Sequence, residues 1–295
     1  MWDKLILNSI RKQRRELAEE TERTLSLVVY PKEVRMEENI PYGEDPALLL
    51  DGFYPLDSSR TYPAIIDIHG GGLVMGHKEQ NRQFCLDLAK EGYLVYVMDY
   101  SLVPESNVFS ILEEIRTSFE VIYEKLKENP SFNGEIFGVG DSAGAFLLLY
   151  TLAIKGNRSI SDAFGIKPIS FSIKAAAFQN GMFYSIRRDK IGLLSDNFYG
   201  RHFRTLPCYP YLNPENNEVL GSLPPFFFFT TEKDFLGHYS RSYSKAVQKT
   251  QTDCVFIDYP FPLEHAHACL YPRKKESQMI NGDMLAFFRK FQKNR

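Results

Sequence analysis

Two short stretches of this chain carry residue types that chemistry uses. Gly140-Asp141-Ser142-Ala143-Gly144 is a G-x-S-x-G pentapeptide. A serine between small residues can sit on a sharp strand-to-helix turn with its hydroxyl exposed, and the helix start behind it favours developing negative charge. The run Ile136–Val139 before the pentapeptide and the apolar run Ala143–Ile154 after it supply that strand and helix. His69-Gly70-Gly71-Gly72 follows a second apolar run, Ala64–Ile68. Consecutive glycines let the backbone turn several N–H groups toward one point, as a tetrahedral oxyanion requires. Alone, this tetrapeptide is also an ordinary glycine turn. Together the motifs are more specific, because one supplies a nucleophile and the other supplies donors.

A serine alone is a poor nucleophile. It needs a base, and the base needs an orienting acid. In the α/β-hydrolases, which these two motifs resemble, the order along the chain is serine, acid, base, with the acid expected after a late strand and the base after the last. Phe226–Thr231 reads as such a late strand, and Glu232-Lys233-Asp234 follows it. Asp234 is the candidate acid and Glu232 the second choice. The last strand reads as Val255–Tyr259, and the next loop leads into His265-Ala266-His267. Both histidines are candidate bases. As a zinc pair they lack a completing cluster of carboxylates or cysteines. Gly138–Ala143 also fits the dinucleotide fingerprint G-x-G-x-x-A, but that needs an acidic residue ending the next strand, which here ends near Phe178-Gln179. No Gly-Lys-Ser/Thr follows either glycine cluster, so a phosphate loop fails.

Such a site needs elements to hold it. Strand-like apolar runs are Leu48–Phe53, Ala64–Ile68, Leu94–Met98, Ile136–Val139, Ala175–Phe178, Phe226–Thr230 and Val255–Tyr259. Helix-like runs are Asn81–Glu91, Ile111–Lys127, Ala143–Lys155, His238–Lys249 and Gln278–Phe291. Ile111, Ile115, Phe119, Ile122 and Leu126 form one stripe at helical spacing. This alternation predicts an α/β fold, a mostly parallel sheet with helices on both faces. Residues 1–30 read as an N-terminal helical segment, with Ile6, Ile10, Gln13, Leu17, Thr21 and Leu25 on one face. Residues 181–224 break the pattern with clustered aromatics and prolines, and read as a cap or lid insertion over an apolar pocket. The catalytic domain is then 31–180 and 225–295.

Composition narrows the class. The 295 residues are 44% hydrophobic and 24% charged, as in globular proteins. With 35 basic and 37 acidic residues the net charge is −2, which gives no support to nucleic-acid binding. The apolar runs fall short of a membrane span. The brief apolar stretch Leu5–Leu7 is followed by Arg11, Lys12, Arg14 and Arg15, and no small-residue cleavage site appears, so no signal peptide is read. The four cysteines, Cys85, Cys208, Cys254 and Cys269, form no CxxC pair, which predicts a reduced, cytoplasmic protein.

These residues resemble the hormone-sensitive-lipase-like branch of the α/β-hydrolase carboxylesterases. The HGGG and GDSAG motifs carry the resemblance, and Ile40–Gly43, Leu50–Pro55 and Asp99–Glu105 are similar to further segments of that branch. The resemblance runs from about Asn39 to Phe288 and implies an eight-stranded, mostly parallel sheet under a small cap. It implies Ser142 as nucleophile, Asp234 as acid and His265 as base, with oxyanion donors at Gly71, Gly72 and Ala143. Family spacing favours the shorter acid-to-base gap, 31 residues to His265 against 33 to His267, the alternative base. The implied reaction is hydrolysis of a small-molecule carboxylic ester with short acyl chains, without metal or organic cofactor, by a monomer or homodimer. The same triad serves amidases, lactonases and peptidases, and a non-catalytic ligand-binding protein on this scaffold is the remaining alternative.

Overall fold

The computed structural model describes residues 2–293, with side chains from Leu7 onward. The strands are β1 (Val34–Pro41), β2 (Leu49–Pro55), β3 (Tyr62–Ile68), β4 (Leu94–Met98), β5 (Phe132–Asp141), β6 (Ala176–Gln179), β7 (Phe226–Lys233) and β8 (Cys254–Glu264). They form one eight-stranded sheet in the order β1-β2-β4-β3-β5-β6-β7-β8. β2 pairs antiparallel with β1 and β4, and every other pairing is parallel. The sheet is therefore the eight-stranded, mostly parallel one the sequence implied. All seven apolar runs fall within or against strands. β1 has no apolar run because it is an edge strand whose residues are mostly exposed or half-buried.

Alternate residues of the central strands point to opposite faces, and each face has its own core. Ile65, Val95, Phe137 and Phe227 pack on one face with α2 (Arg82–Lys90) and the last helix, Lys275–Arg289. Ile66, Tyr96 and Phe228 face the other core, against α3 (Val108–Glu128) and α4 (Ala143–Gly156). α3 starts where Asn107 accepts from the Phe109 and Ser110 N–H groups at 3.0 and 3.2 Å. Its five-residue stripe is fully buried, each aromatic or branched side chain contributing about 1.5–3 kcal/mol. A seven-residue helix, α5 (Arg158–Phe164), escaped the sequence reading because it is too short to show a period. Asn157 caps its start, and left-handed Gly165 ends it.

One expectation needs correction. α1 (Trp2–Leu25) is a helix, but Gln13 does not lie on its docked face; Arg14 does. An arginine can lay its stem on apolar surface while its head finds acceptors. Here the guanidinium donates to the Val74 and Val103 carbonyls at 2.6 and 2.9 Å and pairs with Glu105. Ile6 lies outside the residues whose side chains are described. In the segment 181–224, Phe183, Tyr184, Phe198, Tyr199 and Phe203 are buried in the core. Proline and glycine break this segment into helical turns of three to five residues, so it fills its space with rings.

Candidate active site

The parallel strands end at one edge of the sheet, where ligands of open α/β sheets collect. β3 and β5 are neighbours, with Ile68 opposite Gly140, so the loops that follow them lie side by side. Ser142 stands between β5 and α4 with φ 50°, in the left-handed region that L residues adopt at a cost. The sharp reversal brings α4 hard against β3. A Cβ on Gly144 would stand 1.8 Å from the Ile68 carbonyl oxygen. Only glycine permits this approach, which is the steric reason for that position of the motif.

His265 lies beside Ser142, its Nε2 2.8 Å from Oγ, and its Nδ1 is 2.6 Å from Asp234 Oδ1. A carboxylate accepts, so Nδ1–H donates to Asp234 and Nε2 is left to accept the serine proton. Asp234 is buried at the end of β7, and its other oxygen accepts from Asn180 Nδ2 at 2.8 Å and Thr230 Oγ1 at 2.7 Å. The Leu236 N–H donates to Oδ1 at 2.9 Å. Burial alone would raise the Asp234 pKa, but the His265 bond and charge, with the Asn180 and Thr230 bonds, together hold it below the usual carboxylate value. Glu232, the second-choice acid, is exposed on β7 and has no part in this line. His267 opens the next short helix after left-handed Ala266, and its ring lies against Tyr271, 4.7 Å between centroids. Burial lowers its pKa. Among the described residues no three His, Cys, Asp or Glu side chains gather to hold a metal ion.

The glycine loop is held from below. Gly71 has φ 121° and Gly72 φ 63°, and a Cβ on Gly71 would strike the Met75 carbonyl at 1.9 Å. The N–H of Ala143 belongs to the first turn of α4, where a helix leaves its donors unpaired. Gly70 N–H donates to Asp141 Oδ1 at 3.0 Å, and Asn81 Nδ2 bridges Asp141 and Asp67 at 3.0 and 2.8 Å. Burial, with the Asp141 charge next to it, pushes the Asp67 carboxyl up to about 8. His69 is stacked on Tyr100 at 4.3 Å and donates from Nδ1 to the Gly70 carbonyl at 2.7 Å. Burial lowers its pKa to about 4, so it stays neutral. The Tyr100 hydroxyl bonds the His69 carbonyl at 2.8 Å.

A family model described as the alpha/beta hydrolase fold matches residues 65–269, more than half of the chain. The chain belongs to the alpha/beta hydrolase fold family. Among curated relatives, a kynurenine formamidase of Salmo salar is 27% identical over 142 residues, 44% of this chain and 47% of its own. An acetyl esterase of Salmonella enteritidis is 26% identical over 242 residues, 78% of this chain and 71% of its own. The chain spans about half the length of the first curated relatives it matches. Among solved structures, esterase B from Lactobacillus rhamnosis superposes with a TM-score of 0.88 at 23% identity, covering 99% of this chain and 96% of that one. This hydrolase fold accounts for the order of its strands and for the edge at which its loops meet.

Asn180 and Arg14 were not singled out from the sequence. Asn180 ends β6 with φ 47°, and a lone asparagine after Phe178-Gln179 carries no signal of its own. Its position just past β6, between the strand that leads into Ser142 and the β7 terminus, is a fact of topology.

Proposed function

We propose that this chain is a serine hydrolase cleaving carboxylic esters with short acyl chains. The observation that carries the reading is the line from Asp234 through His265 to Ser142, bonded at 2.6 and 2.8 Å. Ser142 Oγ attacks the ester carbonyl while His265 Nε2 takes its proton. The oxyanion accepts from the Gly71, Gly72 and Ala143 N–H groups, each worth about 10²–10³ in turnover. His265 then protonates the leaving alcohol oxygen, the C–O bond breaks, and the acyl group stays on Ser142. Water, deprotonated by His265, attacks the acyl carbonyl, and the proton returns to Ser142 as the acid leaves. Asp234 stays ionised, orients the imidazole and stabilises its charged form.

The segment 181–224 and α1 serve as the cap. Support comes from an apolar cavity of about 180 Å³ that Leu7 and Ile10 of α1, Val74 and Val103 beside the glycine loop, and Leu194 of the segment line together. The names of the Salmonella acetyl esterase and of the Lactobacillus esterase fit ester chemistry. The formamidase likeness favours a second reading, amide hydrolysis by the same triad. The four cysteines are unpaired, three of them buried, which supports a reducing, cytoplasmic setting.

The test is hydrolysis of p-nitrophenyl acetate, butyrate and octanoate by wild type, Ser142→Ala, His265→Ala and His267→Ala. Ser142→Ala and His265→Ala should each lose about 10⁴-fold or more in kcat, and His267→Ala should keep most activity. Acetate and butyrate should outrun octanoate. Wild type that cleaves p-nitroacetanilide and not the esters would favour the amidase. A dead His267→Ala beside an active His265→Ala would overturn the base assignment.

A further inference from the structure

Phe235 is a large aromatic side chain left 65% exposed, and it stands directly beside the proposed base. Its ring centroid is 4.4 Å from that of His265, with the planes tilted by 48°. An isolated exposed apolar residue needs no explanation, but this one is neither isolated nor loosely held. It follows Asp234 in a turn fixed by two hydrogen bonds, Leu236 N–H to Asp234 Oδ1 and Gly237 N–H to the Asp234 carbonyl, both 2.9 Å. The turn holds the Phe235 backbone next to the acid, while most of the side chain is open to solvent. Next to the turn, Tyr239 donates to Asp189 of the segment 181–224 at 2.6 Å, which fastens that segment beside it.

We infer that Phe235 is the specificity residue on the alcohol side of the site, an open aromatic wall that selects esters of aromatic alcohols. This rests on the serine-esterase reading. His265 Nε2 must reach the leaving oxygen to protonate it, so the alcohol substituent leaves past the imidazole and past the ring beside it. The acyl carbonyl is directed to the glycine loop and Ala143 and has no need of Phe235. A flat aromatic substituent gains offset or edge contact with the ring as well as apolar burial. A short alkyl alcohol gains little there.

The experiment compares benzyl acetate with ethyl acetate on wild type, Phe235→Ala and Phe235→Tyr. Each variant is referred to wild type on the same substrate, so the differing reactivity of the two esters cancels. Phe235→Ala should lose about three- to tenfold more in kcat/KM on benzyl acetate than on ethyl acetate, the scale of one aromatic contact. The loss should fall in KM, as it does when ground and transition states share a contact. Phe235→Tyr keeps the ring and should restore the preference. Equal losses on both esters, carried in kcat, would make Phe235 a support for His265 and overturn the inference alone. No change on either ester overturns it as well. Wild type that cleaves neither ester overturns the esterase reading and this inference with it.

Discussion

Asp234 illustrates how much of this site depends on single donors. Asn180, Thr230 and Leu236 donate to its carboxylate besides His265, and the His265 bond and charge, with the Asn180 and Thr230 bonds, outweigh the burial that would otherwise favour protonation. A carboxyl held below its unfolded value adds stability that is fully present above the ordinary carboxylate range. That stability is lost as pH falls through the lowered value. Asn180→Ala removes a buried donor to a charge. It should cost about 1.5–3 kcal/mol at neutral pH, and the gap to wild type should narrow in acid as Asp234 becomes protonated. Urea unfolding of both proteins at neutral and acidic pH reads this directly. A penalty independent of pH would mean that Asn180 acts only through its left-handed backbone.

The elements of the catalytic edge meet at distances set by missing side chains. α4 runs so close to β3 that Gly144 has no room for a methyl group, whereas Gly282, on the exposed face of the helix Lys275–Arg289, has nothing within 4 Å of its Cβ direction. The same substitution should therefore have opposite signs at the two positions. Gly144→Ala forces α4 off the sheet and should cost about 3 kcal/mol, with loss of activity because Ser142 moves with the helix. Gly282→Ala removes only unfolded-state freedom and improves helix propensity, and should add about 0.5–1 kcal/mol. Thermal unfolding of the pair decides this. A neutral Gly144→Ala would show that the elbow can relax.

At the scale of the molecule, the antiparallel edge of the sheet is tied to the glycine loop by a buried ionic cluster. Asp51 of β2, wholly buried, accepts from Lys78 at 3.2 Å and Arg82 at 3.1 Å. Arg82 also reaches Glu38 of β1 at 2.6 Å, and Lys78 bonds Asn39 at 3.0 Å. The Lys78 N–H donates to Asp99, just past β4, at 2.8 Å. Lys78 and Arg82 lie on the stretch that leads from the glycine loop into α2, so the cluster fixes that stretch against three strands. Asp51→Ala leaves two buried cations without their shared partner and should cost about 3–5 kcal/mol, read as a lower urea midpoint at unchanged slope. A loss under 1 kcal/mol would show that the remaining carboxylates take over.

What the amino-acid sequence determined by itself is local. The strand–serine–helix turn, the glycine loop, the α3 stripe and the alternation that makes a mostly parallel sheet each depend on residues within a few positions of one another. Short-range sterics and period write them directly into the chain. Tertiary structure decided what depends on distance. Two histidines two residues apart are equivalent by composition, yet only His265 meets Ser142, because left-handed Ala266 turns His267 toward Tyr271. Asp234 and Glu232 are both acids after one strand, and burial separates them. Phe183, Tyr184, Phe198, Tyr199 and Phe203 of 181–224 pack into the core, while Phe235 stays in solvent beside the imidazole. Ser142 and His265 lie 123 residues apart along the chain. Contacts at that range are fixed by strand register and packing of the whole sheet, which no local pattern encodes.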